Sequence, residues 1–579
     1  MKALDYHQAT KHSWASIHAN PHRLDYANMP RPFKIYSDLE RRPLPAELRE
    51  TGVPALSAVA SPGSTASGER VPGVEDLAAI LASVGITRRR AYPGGEMQFR
   101  GASCTGALYH IDLYLVCGQL PDLAAGVYHF GPNDFALRCL RPGDYRQVLI
   151  QASSEEPAVA CAPALLVCTS TYWRNAWKYQ ARAYRHCFWD AGTLLANTLA
   201  AGAGLKLPIR IVTGFSDSLV NQLLDLDTDR EVALALLPVG SSAIPASDTP
   251  AAIELLHLPT VPFSKTEVDY PAIRAMHAAS TLTQDEVLSW RGALSARPVA
   301  PSTGRLFPLE PLGAHELPDA GLEHVIRHRG SSRAFAPEAI TLTQLSIMLQ
   351  QSTCGVPADC LDPFGATFTA LYLIVNAVGE LPSGSYVFHR ERNALELLRE
   401  GNFRQEAGHL GLGQELPADA SVNIFCLVEF PSILERFGNR GYRAAQLESA
   451  IAEASTAGHL TIASVRITPA PQQYVAGEDT AALEVIEGRD PLPRVKPPFP
   501  TTAGLYGQPT VVNNIETFAY VPSIVRRGAD WFRGQGTADN PGTMLFTLPA
   551  NVRRPGVVEL PVGTTLRALV EEHGGGLAS

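Results

Sequence analysis

Four short blocks recur at one fixed spacing, and that repetition limits the folds open to this 579-residue chain more than any other feature. LYLV at 113–116 returns as LYLI at 371–374, and GVYHF at 126–130 returns as GSYVF at 384–388. LRPGDYR at 140–146 returns as LREGNFR at 398–404, and RAYR at 182–185 returns as RGYR at 440–443. Every pair is separated by the same 258 positions, an agreement that chance does not produce. Self-similarity at a fixed offset marks a repeated structural unit. Two copies of one domain are therefore expected, packed against each other as an intramolecular pseudo-dimer.

Each copy reads as α/β. LYLVCG and LYLIVN are short β-type runs, each followed by turn residues and a second strand signal at GVYHF or GSYVF. ALLVCTS and VNIFCLVEF read as buried strands, and 174–203 and 436–463 as helices. The expected layout is an N-terminal arm (1–60), a first copy (61–242), a linker rich in Pro, Ala and Ser (243–322), and a second copy (323–466). The first copy runs on to Gly240 through IVTGFSDSLVNQLLDLDTDREVALALLPVG. The second is cut short: after ASVRI a proline cluster opens a segment, 467–579, that maps onto nothing in the first copy.

Composition excludes several classes. Apolar residues make up 45% and charged residues 18%, enough for packed cores. A net charge of −9 and pI near 6.0 argue against nucleic acid as a partner. The N-terminus lacks an apolar h-region, and no run approaches the ~20 apolar residues of a membrane span. The nine cysteines lie mostly in apolar runs, without a CxxC pair, and Cys354 with Cys360 does not make a zinc or iron–sulfur site. A cytoplasmic protein with free thiols and no metal site is expected.

The copies differ where chemistry could sit. The first holds Arg100-Gly-Ala-Ser103-Cys-Thr-Gly106-Ala-Leu-Tyr109, a loop of small residues that lets backbone N–H groups approach a flat cofactor or phosphate; a tight turn reads equally well. Its counterpart, LDPFGATFTALY, loses the serine and the glycine. The second copy opens with Arg327-His-Arg329-Gly-Ser331-Ser332-Arg333, cations and hydroxyls that suit a phosphate, or else a solvated basic turn. Lys178, Arg182 and Arg185 are expected on one face of a single helix, with the adjacent Tyr179 as partner to Lys178. In the second copy that pair becomes Arg436-Phe437. One composite site, built from both copies, fits this divergence better than two equal sites.

At these residues the first ~466 positions resemble the nitroreductase superfamily. More narrowly they resemble the SagB/ThcOx dehydrogenases of thiazole and oxazole peptide maturation. The opening YHQATKHSWASIHANPHRLDYANMPRPFKIY is similar to that group's N-terminal stretch, SCTGALYHIDLYLV to its GALYPxELY motif, and WKYQARAYRHCFWDAG to its Lys-Tyr helix. His110 and Asp112 depart from the motif's Pro and Glu. The resemblance implies an α+β nitroreductase-like fold with FMN between the halves. Arg100, Ser103, Gly106, Arg182 and Arg185 would lie near it, and Arg329, Ser331 and Arg333 would reach its phosphate or ribityl chain. It makes Lys178 and Tyr179 the catalytic pair, with Tyr179 as a base whose pKa Lys178 lowers. The implied substrate is a small molecule or modified peptide carrying an azoline ring, and the implied partners are peptide-maturation enzymes.

The tail resembles another family. YVAGEDTAALEVIEG, PRVKPPFPTTAGLYGQPTVVNNIET and GTMLFTLPANVRRPGVVELPVGTTLRALVEEHGGG are similar to the NADH-binding, FMN-bearing F subunit of respiratory complex I. That implies a small, incomplete module ending in a β-grasp-like segment, with Glu478, Asn513 and Asn514 among the residues around FMN and NADH. The family's GRGGAGF loop is absent from the sequence. Three other readings stand beside the dehydrogenase: an NAD(P)H-dependent nitro or quinone reductase, a non-catalytic fusion that retains only a binding module, and a complex I subunit fragment carrying an unrelated leader.

Overall fold

In the computed structural model the chain divides into two compact units, Met1–Thr461 and Ile462–Ser579. The structure describes residues 2–13, 16, 22–61, 68–92, 95–247, 253–291, 304–310, 317–332, 334–336, 338–361, 364–457, 475, 478–507, 510, 512, 520, 524 and 527–578. Among them no helix is long and apolar enough to cross a membrane.

The first unit opens with helix α1 (Ala3–Thr10) and edge strand β1 (Arg41–Pro43). A hairpin, β2 (Ile86–Tyr92) and β3 (Gly95–Arg100), leads into the first large sheet. That sheet adds β4 (Ile111–Cys117), β5 (Gly126–Gly131), β6 (Ala136–Pro142), β7 (Ala164–Thr171) and β8 (Glu231–Val239) in the order β1-β6-β5-β4-β7-β8, antiparallel throughout. Strand β4 is buried along its whole length, because alternate side chains enter two cores. Leu113 and Leu115 face one core, Tyr114 and Val116 the other. Between β7 and β8 run helices α2 (Tyr172–Tyr179), α3 (Ala183–Leu205) and α4 (Asp217–Leu223).

The second copy repeats this plan. Strand β9 (Arg305–Pro308) and helix α5 (Leu322–His328) precede four further strands that complete a sheet ordered β13-β10-β11-β12-β9, followed by α6 (Phe430–Phe437) and α7 (Arg440–Ala457). Strands β10 (Thr369–Val375), β11 (Gly384–His389) and β12 (Ala394–Glu400) match β4, β5 and β6 residue for residue at the 258 offset. β13 (Val422–Val428) begins at that offset from β7. The bulge between Val127 and Tyr128 recurs between Ser385 and Tyr386. The two copies share one core: Tyr442, Ala445, Leu447 and Ile451 of α7 pack with Leu113, Tyr184 and Leu195 of the first copy. Where α3 crosses α7, a Cβ on Gly192 would stand 2.5 Å from Ala450 Cβ and 2.8 Å from the Leu447 carbonyl. Gly192 and Ala450 are equivalent positions, so the helices cross at the pseudo-two-fold axis.

Three details differ from the sequence reading. First, neither copy carries one long helix here. The chain breaks at Gln180 (φ 52°, ψ −139°) between α2 and α3, and at its equivalent Gly438 (φ 58°, ψ −157°) between α6 and α7. Second, the stretch expected as a linker with some local helix has that helix but also packs into the fold. Pro271–Ala278 and Gln284–Trp290 are helices that bury Met276, Val287 and Trp290, and β9 (Arg305–Pro308) pairs with β12. Third, the second sheet has no counterpart of β8 among the described residues. β7 is buried throughout beneath β8, whereas β13 pairs with β10 alone and leaves Leu427 half exposed.

In the second unit, helix α8 (Asp479–Ile486) is capped by Glu478, whose carboxylate accepts from the N–H groups of Thr480 (2.9 Å) and Ala481 (2.8 Å). Lys496 pairs with Asp479 at 2.8 Å. Strands β14 (Thr543–Leu548) and β15 (Gly556–Pro561) form a hairpin beyond it. Asn513 and Asn514 lie outside the described residues.

Candidate functional site

The loop between β3 and β4 is held in conformations that side chains disfavour. Gly106 (φ 66°), Ala107 (φ 55°) and Tyr109 (φ 47°) all have left-handed backbones. Non-glycine residues stay in this region only where surrounding contacts enforce it, and such strain gathers at functional sites. Here the enforcing contacts are visible. Arg174, from the first turn of α2, donates to the carbonyls of Tyr109 and His110, each at 3.1 Å, and pairs with buried Asp112. Arg100 donates to the carbonyls of Ile111 (3.1 Å) and Pro32 (2.9 Å), and its own N–H donates to the Tyr109 hydroxyl at 3.1 Å.

Asp190 of α3 straps the loop from below. One carboxylate oxygen accepts from the Thr105 N–H (2.9 Å) and hydroxyl (2.6 Å). The other lies 3.0 Å from Cys104 Sγ and 2.8 Å from His110 Nε2. One turn on, Thr193 donates its hydroxyl to the Ser103 carbonyl at 2.7 Å. Asp190 was not anticipated from sequence, although the signal existed. Its equivalent at the 258 offset is Glu448, which likewise reaches back to Thr367 and Thr369 at the head of β10.

This strapped loop meets the Lys-Tyr pair. A Cβ on Gly106 would lie 2.9 Å from the Tyr179 hydroxyl and 3.4 Å from Lys178 Cδ, so a side chain there would be strained by φ and would push the Lys-Tyr pair aside. Among the described residues the Tyr179 hydroxyl and the Lys178 ammonium have no hydrogen-bond partner, and Lys178 Nζ rests 5.4 Å from the Tyr179 ring centre. The second copy reaches the same loop: Arg329, just past α5, donates to the Gly101 carbonyl at 3.3 Å. The loop thus meets the pair at Gly106 and the arginine at Gly101. Ser331 is exposed nearby in sequence, and Arg333 lies outside the described residues.

Two expectations are corrected. The break at Gln180 removes Arg182 and Arg185 from the face that carries Lys178. Arg182 donates to the Thr10 carbonyl at 2.6 Å, and Arg185 to the Thr10 hydroxyl at 2.9 Å and the His7 carbonyl. They neutralise the C-terminal carbonyls of α1, where helix geometry leaves acceptors unsatisfied and favours a cation. Tyr179, moreover, does not have a lowered pKa. Burial, reinforced by the charges of Asp190 and Cys104 against the opposing pull of Arg182, pushes it up to about 12. The phenol is therefore protonated at neutral pH and suited to donating a proton rather than taking one.

The second copy uses its equivalent arginines differently. Arg440 and Arg443 donate to opposite oxygens of buried Asp217 in α4, at 2.6 and 2.8 Å. They clamp the copies together rather than line a second site. The cavity of about 530 Å³ between Leu48, Gly85, Phe135 and Ile326 contains neither Lys178 nor Tyr179.

The fold of the first unit is found in a solved structure. A candidate nitroreductase from Anabaena variabilis superposes with a TM-score of 0.61 at 23% identity, over 78% of this chain and 90% of that one. The family model described as the Nuo51 FMN-binding domain matches residues 438–523, beginning within the first unit, and the SLBB domain model matches 550–578. One of the NADH-quinone oxidoreductase F subunits of Rhizobium meliloti (strain 1021) is 51% identical over 139 residues, which is 23% of this chain and 33% of that protein. The corresponding F subunit of Mycobacterium bovis is 54% identical over 102 residues, 18% of this chain and 23% of its own length. The chain spans a third or less of these curated relatives. The first unit thus has the fold of that nitroreductase-type structure, and the C-terminal part of the chain is similar to a segment of NADH-quinone oxidoreductase F subunits.

Proposed function

We propose that the first unit is an FMN-dependent oxidoreductase with one composite active site, and that it acts as a dehydrogenase on azoline-like rings of a modified peptide. One observation carries the reading. The loop of one copy is met at Gly106 by its own unpartnered Lys178 and Tyr179 and at Gly101 by Arg329 of the other copy. The residues fit a phosphate-bearing planar cofactor. The loop exposes Gly106, Arg329 supplies a cation, and buried Arg100 keeps an Nε without a partner. FMN, when bound there, supplies a two-electron acceptor or donor. The chain's own residues then hold and move protons. Lys178, as an ammonium, orients an anionic or carbonyl group, and the Tyr179 hydroxyl exchanges a proton with the substrate atom that changes charge.

A second reading is favoured by one feature, the raised pKa of Tyr179. A protonated phenol suits the reductive direction, in which substrate receives a hydride equivalent and then a proton, as an NAD(P)H-dependent nitro or quinone reductase requires. Anaerobic mixing separates the two. Bleaching of the flavin by an azoline peptide, with formation of the aromatic azole, supports the dehydrogenase. Bleaching by NADH or NADPH alone, followed by reoxidation with a quinone, supports the reductase; bleaching by neither sinks both. Peptide-maturation enzymes are the proposed partners of the dehydrogenase. For the C-terminal segment we propose that Glu478, Asn513 and Asn514 correspond to residues around FMN and NADH in the complex I F subunit, and that without the GRGGAGF loop they hold no flavin of their own.

A further inference from the structure

The side chains that strap the 103–110 loop to α3 form a donor set that the proposed redox chemistry does not use. Cys104, His110 and Asp190 each offer a ligand atom, and these atoms lie within 4.8 Å of one another. They come from separate places in the fold: the loop, the residue before β4, and the middle of α3. Thiolate sulfur, imidazole nitrogen and carboxylate oxygen are donors that borderline divalent ions such as zinc accept together.

Each donor is aimed by a contact on its far side. The Tyr109 N–H donates to Cys104 Sγ at 3.0 Å. Ser170 Oγ occupies His110 Nδ1 at 2.8 Å, which leaves Nε2 pointing inward. Thr105 holds one oxygen of Asp190 twice over and leaves the other facing Cys104 and His110. Outer-sphere hydrogen bonds of this kind orient the ligands of metal centres and fix the histidine tautomer. His110 and Asp190 are buried, and Cys104 is of intermediate exposure. The second copy has Phe368 in place of His110, which confines the donor set to one copy.

We propose that Cys104, His110 and Asp190 bind one borderline divalent cation of the zinc class, which pins the loop beneath the Lys178–Tyr179 pair. Coordination forms a metal–sulfur bond and releases the Cys104 thiol proton to solvent. His110 takes the Nδ1–H tautomer and donates to Ser170, and no electron is transferred. The proposal does not depend on the flavin reading, and its test involves no turnover.

The full chain, with the exposed Cys161 and Cys354 changed to serine and stripped with a chelator, is titrated with Co²⁺ alone. One equivalent is expected to bind, giving a thiolate-to-cobalt charge-transfer band that Zn²⁺ displaces. Cys104→Ser should abolish the band. Ser170→Ala, which keeps all three ligands, should weaken uptake about 10–100-fold. Absence of uptake, a band that survives Cys104→Ser, or unchanged affinity in Ser170→Ala would each overturn the site.

Discussion

Gln180 and Gly438 occupy the same position in the two copies with nearly the same backbone, φ 52° against φ 58°, yet only one is glycine. For a residue with a side chain this conformation costs about 1–3 kcal/mol. Gln180→Gly removes that strain. It returns ~0.5–1 kcal/mol through the greater unfolded freedom of glycine, and it loses the 3.3 Å hydrogen bond between Gln180 and His22. The net expectation is a gain of about 1 kcal/mol. Gly438→Ala is the mirror experiment. A Cβ there meets nothing within 4 Å, so the change is backbone strain alone, about 1–3 kcal/mol less the entropic gain of ~0.5–1 kcal/mol. With an unfolding entropy of about 2.1 cal/mol/K per residue, a unit of this size shifts its Tm by about 1 °C per kcal/mol. Calorimetry should place Gln180→Gly above wild type and Gly438→Ala below it, about 2–3 °C apart. Equal Tm values, or the reverse order, would refute strain at this joint. Because the strained residue directly follows Lys178 and Tyr179, Gln180→Gly should also lose turnover as it gains stability.

Three further outcomes follow from the same geometry. Gly192→Ala should destabilise the first unit by about 1–3 kcal/mol in denaturant melts, since the new methyl would sit 2.5 Å from Ala450 Cβ. Asp217→Asn leaves Arg440 and Arg443 buried without their anion and should cost about 3–5 kcal/mol. The carboxyl of Asp217, itself buried, is held down to about 2 by those two arginines. Its contribution is complete above the unfolded carboxyl pKa and is lost as pH falls through about 2, so acid unfolding of wild type should be displaced upward in Asp217→Asn. Tyr179→Phe should retain flavin while turnover falls by about 10²–10⁴. If the phenol donates the proton, the wild-type rate should stay level up to about pH 10 and decline towards 12, read by steady-state kinetics across that range.

How far the sequence reaches can be judged at particular residues. The duplication was legible because the strands keep both length and spacing, down to the bulge before Tyr128 and Tyr386. The union of Gly106, Lys178 and Tyr179 was suggested by their joint loss in the second copy. The helix break was missed in both copies: Gln180 carries no turn signal, and the one that Gly438 carries was not used. Arg182 and Arg185 were misassigned because local periodicity does not reveal that α1 returns from the N-terminus to take their hydrogen bonds. The protonation of Tyr179 depends on burial and on Asp190, and neither is written near position 179. Asp190 itself is separated by some eighty residues from the loop it holds.

The central claim is a single flavin site assembled from both copies. It is tested by reconstituting the full chain with FMN and measuring the flavin bound per chain, beside the variants Gly106→Ala and Arg329→Ala. The account predicts one FMN bound through the first unit, weakened by a change in either copy. Two FMN per chain with both variants unaffected, or no uptake at all, would contradict it.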